Sequence, residues 1–576
     1  MRVKALALDY DGTLASADRI APDAVEALEQ ARSAGVRLIL ATGRVFFELT
    51  RVCERLDLFD AVVAENGAVL YVPGAGVIRD LAPAPPPRFF AELDRRGISY
   101  QAGRVIVGTF RTEEDRVCEA MASVGVSLDR ICNREALMLL PAGISKGTGV
   151  QQVLTRLGLS FHDVLAIGDS ENDVELFQAC GWRACPENAV PELTRLADWV
   201  FPGSNGSSVA LAIRNTILAG RLEGTASPRH RLELGWAVGT TEPVAIPARD
   251  VNVLIHGDPL SGKSWLAGAL VERLLEGRYA VCVIDPEGDY RVLGRLTAVT
   301  WTEVRDRESV LQGLGRFDRD PAAGVVLDLA LLPHAEKLSL IEVALELIRA
   351  RRSRHGLPHW VVLDEAHYAL HRQAVSERAF PAEDKGFCLV TYRASWLRES
   401  ALRAVDAIIL ARTTDNAELD CLGAYVAGLP AASRMAVPVL RDLPPGEFVL
   451  LTPLGTGAVS FVAAPRATPH GRHLRKYADS TAPSDARFVF RDRRGHDVAS
   501  ADSLTSFRDR LASIEDDVLA HHAARGDFSR WVHDVFSDRE LAAQLRKSER
   551  RWSRGEISDL RRAITELIVH RYALEP

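Results

Sequence analysis

Two groups of residues in this 576-residue chain have the types and spacing to handle phosphate. The first is Gly257-Asp258-Pro259-Leu260-Ser261-Gly262-Lys263-Ser264, which satisfies G-x-x-x-x-G-K-[ST] at every fixed position. Its glycines let backbone N–H groups close on phosphate oxygens, and a helix starting at its end adds the positive pole of its dipole. Lys263 would reach the β- and γ-phosphates of ATP, and Ser264 would hold magnesium. The second group opens with Asp9-Tyr10-Asp11-Gly12-Thr13. Of two acids spaced by one residue, Asp9 can attack phosphorus and carry the phosphoryl group, while Asp11 can protonate the leaving oxygen and then activate water. Thr42, in Ala41-Thr42-Gly43-Arg44, offers a hydroxyl to the phosphate, and Lys146, in Ile144-Ser145-Lys146-Gly147, can neutralise charge between nucleophile and phosphate. Gly168-Asp169-Ser170-Glu171-Asn172-Asp173 supplies further acids. Asp169 and Asp173 can complete a magnesium site with Asp9 and the Asp11 backbone carbonyl, since magnesium takes hard oxygen ligands. Gly43, Arg44 and Asn172 are candidates for substrate contact, although an arginine in this place could equally serve the structure.

Each group needs strand ends to position it. The apolar runs 3–8, 36–40 and 164–167 read as buried strands that end at Asp9, Thr42 and Asp169, where sites of open α/β sheets lie. Val251 to Ile255 reads as the strand before the glycine loop, and Trp265 to Leu275 as the helix after it. Two more buried strands end in acids: Ala280 to Ile284 before Asp285-Pro286-Glu287-Gly288-Asp289-Tyr290, and Trp360 to Leu363 before Asp364-Glu365-Ala366-His367. Asp364 can support magnesium through water, and Glu365 can polarise the water that attacks the γ-phosphate.

The four pieces around Asp9, Thr42, Lys146 and Asp169, in that order, resemble the haloacid dehalogenase phosphohydrolase superfamily over roughly residues 1–220. The resemblance implies that Asp9 is the nucleophile, Asp11 the general acid and base, Thr42 and Lys146 phosphate ligands, and Asp9, Asp11, Asp169 and Asp173 the metal set. Glu65-Asn66-Gly67-Ala68 looks like the Cof-type, sugar-phosphatase branch. The proline-rich stretch 82–87 reads as a stiff crossing into a small α+β unit. By resemblance this unit, at about 82–142, is a cap that sets substrate choice, and its shortness predicts a small phosphorylated substrate.

The Asp285 to Tyr290 stretch together with Leu363-Asp364-Glu365-Ala366-His367 resembles the HerA/FtsK class of RecA-like ATPases over roughly 232–465. That class implies ATP, a second magnesium held at Ser264, and a homo-oligomer, with a hexamer in view. Arg393 and Arg412, each just beyond a core strand, are candidates for an arginine finger reaching a neighbouring subunit. Tyr392 stands where family members often carry a polar glutamine. The barrel that usually precedes this ATPase in translocases has no evident counterpart, which weakens DNA pumping as its role.

The expected fold class is therefore α/β: an N-terminal Rossmann-like phosphatase domain (1–220) with its cap, a linker (221–231), a central P-loop domain (232–465), a polar linker (466–485) and a mostly helical C-terminal domain (486–576). A chain of this length suits about three to four domains. Hydrophobic residues make up 47% and charged residues 26%, and the formal net charge is −7, so no global basic field announces nucleic acid. The eight cysteines form no C-x-x-C pair, which predicts a reducing, cytoplasmic setting without structural zinc. No apolar run reaches the ~18 residues of a membrane helix. Three functions follow as alternatives. One is a phosphatase on a small metabolite joined to an ATPase. The second is a nucleic-acid processing enzyme that pairs an end-phosphatase with a kinase or translocase module. The third is a ring motor with an accessory phosphatase.

Overall fold

The computed structural model describes residues 3–16, 18–133, 135–219, 228–372, 383–426, 439–452, 457–468, 486–536 and 538–572, together with Phe380, Ala478 and Ala482. Most of the expected linkers at 221–231 and 466–485 lies outside these residues. The chain divides into two compact units, one dominated by residues 1–231 and one by residues 232–576.

In the first unit the spatial strand order is Trp199–Phe201, Trp182–Pro186, Val164–Ile167, Ala5–Leu8, Arg37–Ala41 and Ala61–Ala64, all parallel. Val69–Val72 and Val77–Asp80 extend it antiparallel. The central strands are apolar at every position because helices cover both faces, as a parallel sheet requires. Ala5, Ala7, Ile39 and Ala166 pack on one side and Leu6, Leu8, Leu38 and Leu165 on the other. Between Ala64 and Lys146 the chain builds an antiparallel four-stranded sheet ordered Asp129–Asn133, Ala136–Leu140, Val107–Phe110 and Gln101–Ala102. Helices Pro87–Arg95 and Glu114–Val124 pack on it around Phe89, Leu93, Val117 and Leu139. This is the small α+β unit expected from the sequence.

In the second unit seven strands are parallel, in the order Ala407–Leu410, Val253–His256, Phe387–Thr391, Trp360–Leu363, Val281–Asp285, Gly324–Asp328 and Val299–Glu303. The strands Glu447–Leu451 and Ala458–Ala463 continue the sheet antiparallel, followed by Arg231–Ala237. Arg466, expected in a polar linker, instead packs on the helix Lys263–Glu276. Its Nε donates to Glu272 at 3.2 Å, and a Cβ on Gly268 would lie 2.3 Å from its guanidinium. Glu272 also accepts from the N–H groups of Ala467 and Thr468 at 2.6 and 3.1 Å, so the chain leaves the sheet tied to that helix. Residues 486–572 form a hairpin, Phe488–Arg491 with Asp497–Ala501, and five helices around Phe488, Phe490, Phe507, Phe528 and Trp531. Among the described residues no helix is long and apolar enough to cross a membrane.

Candidate active sites

Register brings the first site together. Leu8 pairs with both Leu40 and Ile167, so the residues that follow these strands emerge side by side at one carboxyl edge. Asp9, Thr42, Asp169 and Asp173 are all buried there. Helix Lys146–Leu157 delivers Lys146 to the same point. Ser145 caps it with a reciprocal Ser145–Thr148 capping box, and Gly147 lets it lie where a Cβ would meet the Glu175 carbonyl oxygen at 2.3 Å. Lys146 Nζ donates to Asp9 Oδ1 and to Asp173 Oδ1, both at 2.6 Å. Asp173 Oδ2 accepts from the N–H groups of Asp169 and Ser170 at 3.1 Å each, and Thr13 Oγ1 donates to Asp169 at 3.0 Å. Gly12, at φ +82°, turns the chain beneath Asp169, where a Cβ would stand 2.5 Å from that carboxylate.

The charges explain what this cluster lacks. Asp9, Asp169 and Asp173 can each turn one carboxylate oxygen to a common point, within 4.8 Å of one another. One ammonium faces these three buried acids. Burial, then the Asp173 carboxylate, push Asp9 well above the usual carboxylate range despite Lys146. Burial alone would pull Lys146 down, but Asp173 and Asp9 hold it above an ordinary lysine. The excess negative charge, on hard oxygen donors, fits a divalent cation such as magnesium.

Asp11 stays out of the buried cluster. Its carboxylate is 45% exposed and is gripped by Arg44, with Nε–Oδ2 at 2.8 Å and Nη2–Oδ1 at 2.6 Å. Arg44 also pairs with Asp18 and lies 5.4 Å from the centre of the Tyr10 ring. The arginine read as a substrate contact is thus engaged by the residue read as the acid. Asn172 donates to Asn66 at 3.1 Å beside Gly43. A cavity of about 510 Å³ opens over Asp9 and Asp11, with Gly43, Arg44, Ser170 and Asn172 on its lower side and residues of 99–110 and 135–138 above.

Glu65 is a site residue whose role the sequence did not reveal. It is fully buried in a left-handed conformation, φ +53°. Its carboxylate accepts from the N–H groups of Arg104 and Val105 at 2.9 Å each, and from Ile106 and Phe46 at 3.2 Å each. Gly103 admits it: a Cβ there would come within 2.5 Å. One carboxylate therefore fixes the small unit over the cavity. Glu65→Ala is expected to leave these amides without an acceptor, costing on the order of 3 kcal/mol. Hydrogen exchange at residues 104–106 should quicken by at least tenfold; unchanged exchange there would refute the latch.

In the second unit the glycine loop turns sharply between its strand and its helix. Leu260 and Gly262 have φ of +65° and +101°, and Lys263 starts the following helix. Lys263 Nζ donates to the Asp258 carbonyl at 2.7 Å, closing the loop on itself. The Asp258 carboxylate accepts from Thr414 Oγ1 at 2.7 Å and from the Thr414 N–H, and the Asp258 N–H donates to the Arg412 carbonyl at 2.8 Å. The segment after Ala407–Leu410 so braces the loop. One strand, Phe387–Thr391, separates the loop's strand from the one that ends at Asp364 and Glu365. Tyr290 donates to Asp364 at 3.4 Å. Glu365 holds φ +45°, a strained conformation for a residue with a Cβ, and lies 3.6 Å from His367 Nδ1. Burial lowers His367 to about 4, so its ring is neutral beside Thr391 Oγ1, 2.9 Å away.

Asp285 has a structural task. Its carboxylate accepts from the N–H groups of Glu287, Gly288, Asp289 and Tyr290 between 2.7 and 3.3 Å, and burial followed by Asp289 pushes it up to about 7. Of the two candidate fingers, Arg393 is paired within its own chain, 2.7 Å from Asp415 and 3.9 Å from Glu418, and stacks on Tyr392 and Trp396. Arg412 stands beside its own glycine loop through the Asp258 contact.

The first unit joins a mainly parallel α/β sheet to a buried acid–lysine cluster at the carboxyl edge of its strands. A haloacid dehalogenase-like hydrolase profile matches residues 6–84 and 131–213. A phosphoglycolate phosphatase of Methanothermobacter thermautotrophicus is 33% identical over 223 residues, covering 37% of this chain and 98% of the relative. One of Halorubrum lacusprofundi is 32% identical over 221 residues, covering 36% and 96%. A putative phosphatase of Streptococcus pyogenes is 26% identical over 271 residues, covering 38% and 100%. A solved protein of Thermoplasma acidophilum superposes with a TM-score of 0.33 at 23% identity, covering 37% of this chain and 98% of that one. Through this N-terminal region the chain belongs to the haloacid dehalogenase-like hydrolases.

Proposed function

We propose that the protein is bifunctional: a magnesium-dependent phosphatase acting on a small phosphorylated substrate, coupled to an ATP-hydrolysing, ring-type P-loop ATPase of the HerA/FtsK kind. The observation that carries the first half is Asp9 held by Lys146 among Asp169 and Asp173 on the floor of the cavity. The relatives named phosphoglycolate phosphatases support a phosphomonoester substrate. Asp9 attacks phosphorus, so that an Asp9–phosphorus bond forms as the bond to the ester oxygen breaks. Asp11, once it has left Arg44 and is protonated, gives its proton to that oxygen, and the proton it later takes from water restores it for the next cycle. Thr42 and Lys146 hold the phosphoryl oxygens. Asp11 then takes a proton from water, whose oxygen displaces Asp9 and yields phosphate. Asp9, Asp169, Asp173 and the Asp11 carbonyl would hold magnesium, which would supply charge neutralisation for the phosphoryl oxygens.

The second half rests on the glycine loop and the acids Asp364 and Glu365 at one sheet edge. Gly257 to Ser264 would cradle ATP, Lys263 and Ser264 would serve the phosphates and magnesium, and Glu365 would orient water. We read the chain as a cytoplasmic homo-oligomer, a hexamer by resemblance, with all eight cysteines free in keeping with a reducing setting.

Chelation tests the metal. Treatment with EDTA should reduce phosphate release from a panel of phosphomonoesters by at least a hundredfold, and excess magnesium should restore it. Release that is indifferent to both would overturn the magnesium dependence of the reading.

A further inference from the structure

The cavity over Asp9 has a charge pattern that bears on the alcohol half of the substrate. Its described lining residues include four acids, Asp9, Asp11, Glu48 and Glu135, and one cation, Arg44. Arg44 already faces three carboxylates: Asp11, Asp18 and, at 4.0 Å, Glu48. Asp9 belongs to the phosphate end, with Lys146. Glu48, whose side chain is 42% exposed, and Glu135 remain beyond it, with Gln101 Nε2 3.4 Å from Glu48 Oε2. The rest of the upper wall is neutral: Ser99, Tyr100, Thr109, Phe110 and Met138. A leaving group that carried a carboxylate would bring a further negative charge into a space whose one described cation, Arg44, also serves Asp18 and Glu48 as well as Asp11, and where Glu135 has no cation among the described lining residues. One that carried hydroxyls would find acceptors in Glu48 and Glu135, and donors or acceptors in Gln101, Ser99 and Thr109. Built-in repulsion of this kind discriminates between substrates as effectively as added attraction.

We propose that Glu48 and Glu135 are specificity-determining residues that select an uncharged, hydroxyl-bearing leaving group, a polyol or sugar phosphate, and reject a phosphorylated carboxylic acid. This rests on the phosphatase reading of Asp9 and sets the chain apart from the substrate in its relatives' names. The experiment compares kcat/KM for glycerol phosphate, sorbitol phosphate and phosphoglycolate, with p-nitrophenyl phosphate as a reporter of phosphatase activity itself. The wild-type enzyme should favour the better polyol phosphate over phosphoglycolate by at least tenfold. In the Glu48→Gln, Glu135→Gln double variant that ratio, measured within one preparation so that any general loss cancels, should fall by about tenfold, and less so at high ionic strength in the wild type, where screening already weakens the repulsion. Phosphoglycolate used as well as or better than the polyols, or a ratio unmoved in the double variant, would overturn this inference while hydrolysis of p-nitrophenyl phosphate upheld the phosphatase reading. Silence on all four esters in the presence of magnesium would overturn both.

Discussion

Asp9→Asn is expected to lower magnesium-dependent phosphate release by on the order of 10⁴-fold or more, the scale on which loss of a nucleophile acts. An amide oxygen in the same place keeps the shape of the side chain and a partner for Lys146, but it cannot form the phosphoryl ester that the proposed route requires. The fold should survive. Lys146 retains Asp173 at 2.6 Å, and the substitution removes a carboxylate that burial first, and the neighbouring Asp173 next, hold well above its usual range. The variant should therefore unfold at or above the wild-type temperature. Because the loss is of chemistry and not of binding, the affinity for substrate should change little while kcat collapses. ATP hydrolysis, in the other unit, should persist at wild-type rate. Wild-type phosphate release from the best ester in Asp9→Asn would remove Asp9 as nucleophile and with it the reaction class.

The placement of both groups of residues was legible in the sequence for the same physical reason: each lies on loops that directly follow strands of a parallel sheet, so motif order along the chain already encodes neighbourhood in space. Asp9, Thr42 and Asp169 follow three apolar runs, and the observed register does place them together. Lys146 was harder, because a whole α+β unit intervenes, and only the four-part resemblance pointed to it. The role of Glu65 was not legible. Its motif was visible as a family marker, but its partners are backbone N–H groups of residues 104–106, and backbone donors leave no trace in side-chain identity. Only Gly103, the residue that admits the carboxylate, carried a faint signal. Arg44 shows the complementary limit. Its position after Thr42 was plain, yet its pairing with Asp11, a residue far away in the sequence, is decided by side-chain geometry. Arg466 was read as part of a polar linker because its neighbours are polar; the acid it pairs with, Glu272, lies on a helix far away in the sequence. Asp285 was visible in the sequence only as an acid ending a core strand, and four backbone donors show that it shapes the turn leading to Tyr290.

Glu365→Gln is the second large effect expected. It should bind ATP as tightly as the wild-type protein and slow hydrolysis by about 10²- to 10⁴-fold, the range that general-base contributions span. A glutamine keeps the size and one acceptor of the side chain but cannot take on negative charge to polarise the attacking water, so the loss falls on the transition state and not on the ground state. The left-handed φ of +45° at Glu365 supports such a role, since a residue with a Cβ keeps that conformation only where the surroundings impose it. His367, neutral at 3.6 Å, does not compete as a cation for the carboxylate. Lys263→Ala separates the two effects: it removes the side chain that now bridges to the Asp258 carbonyl and would otherwise meet phosphate, so nucleotide binding itself should weaken. If the nucleotide lies between subunits, ATP trapped by Glu365→Gln favours the assembled ring by its binding free energy. Light scattering after size exclusion should then show a larger oligomer with ATP than without, in Glu365→Gln more than in wild type, and no such shift in Lys263→Ala. Equal hydrolysis by Glu365→Gln and wild type would assign the water to another residue, and a monomer in both conditions would leave two independent enzymes on one chain.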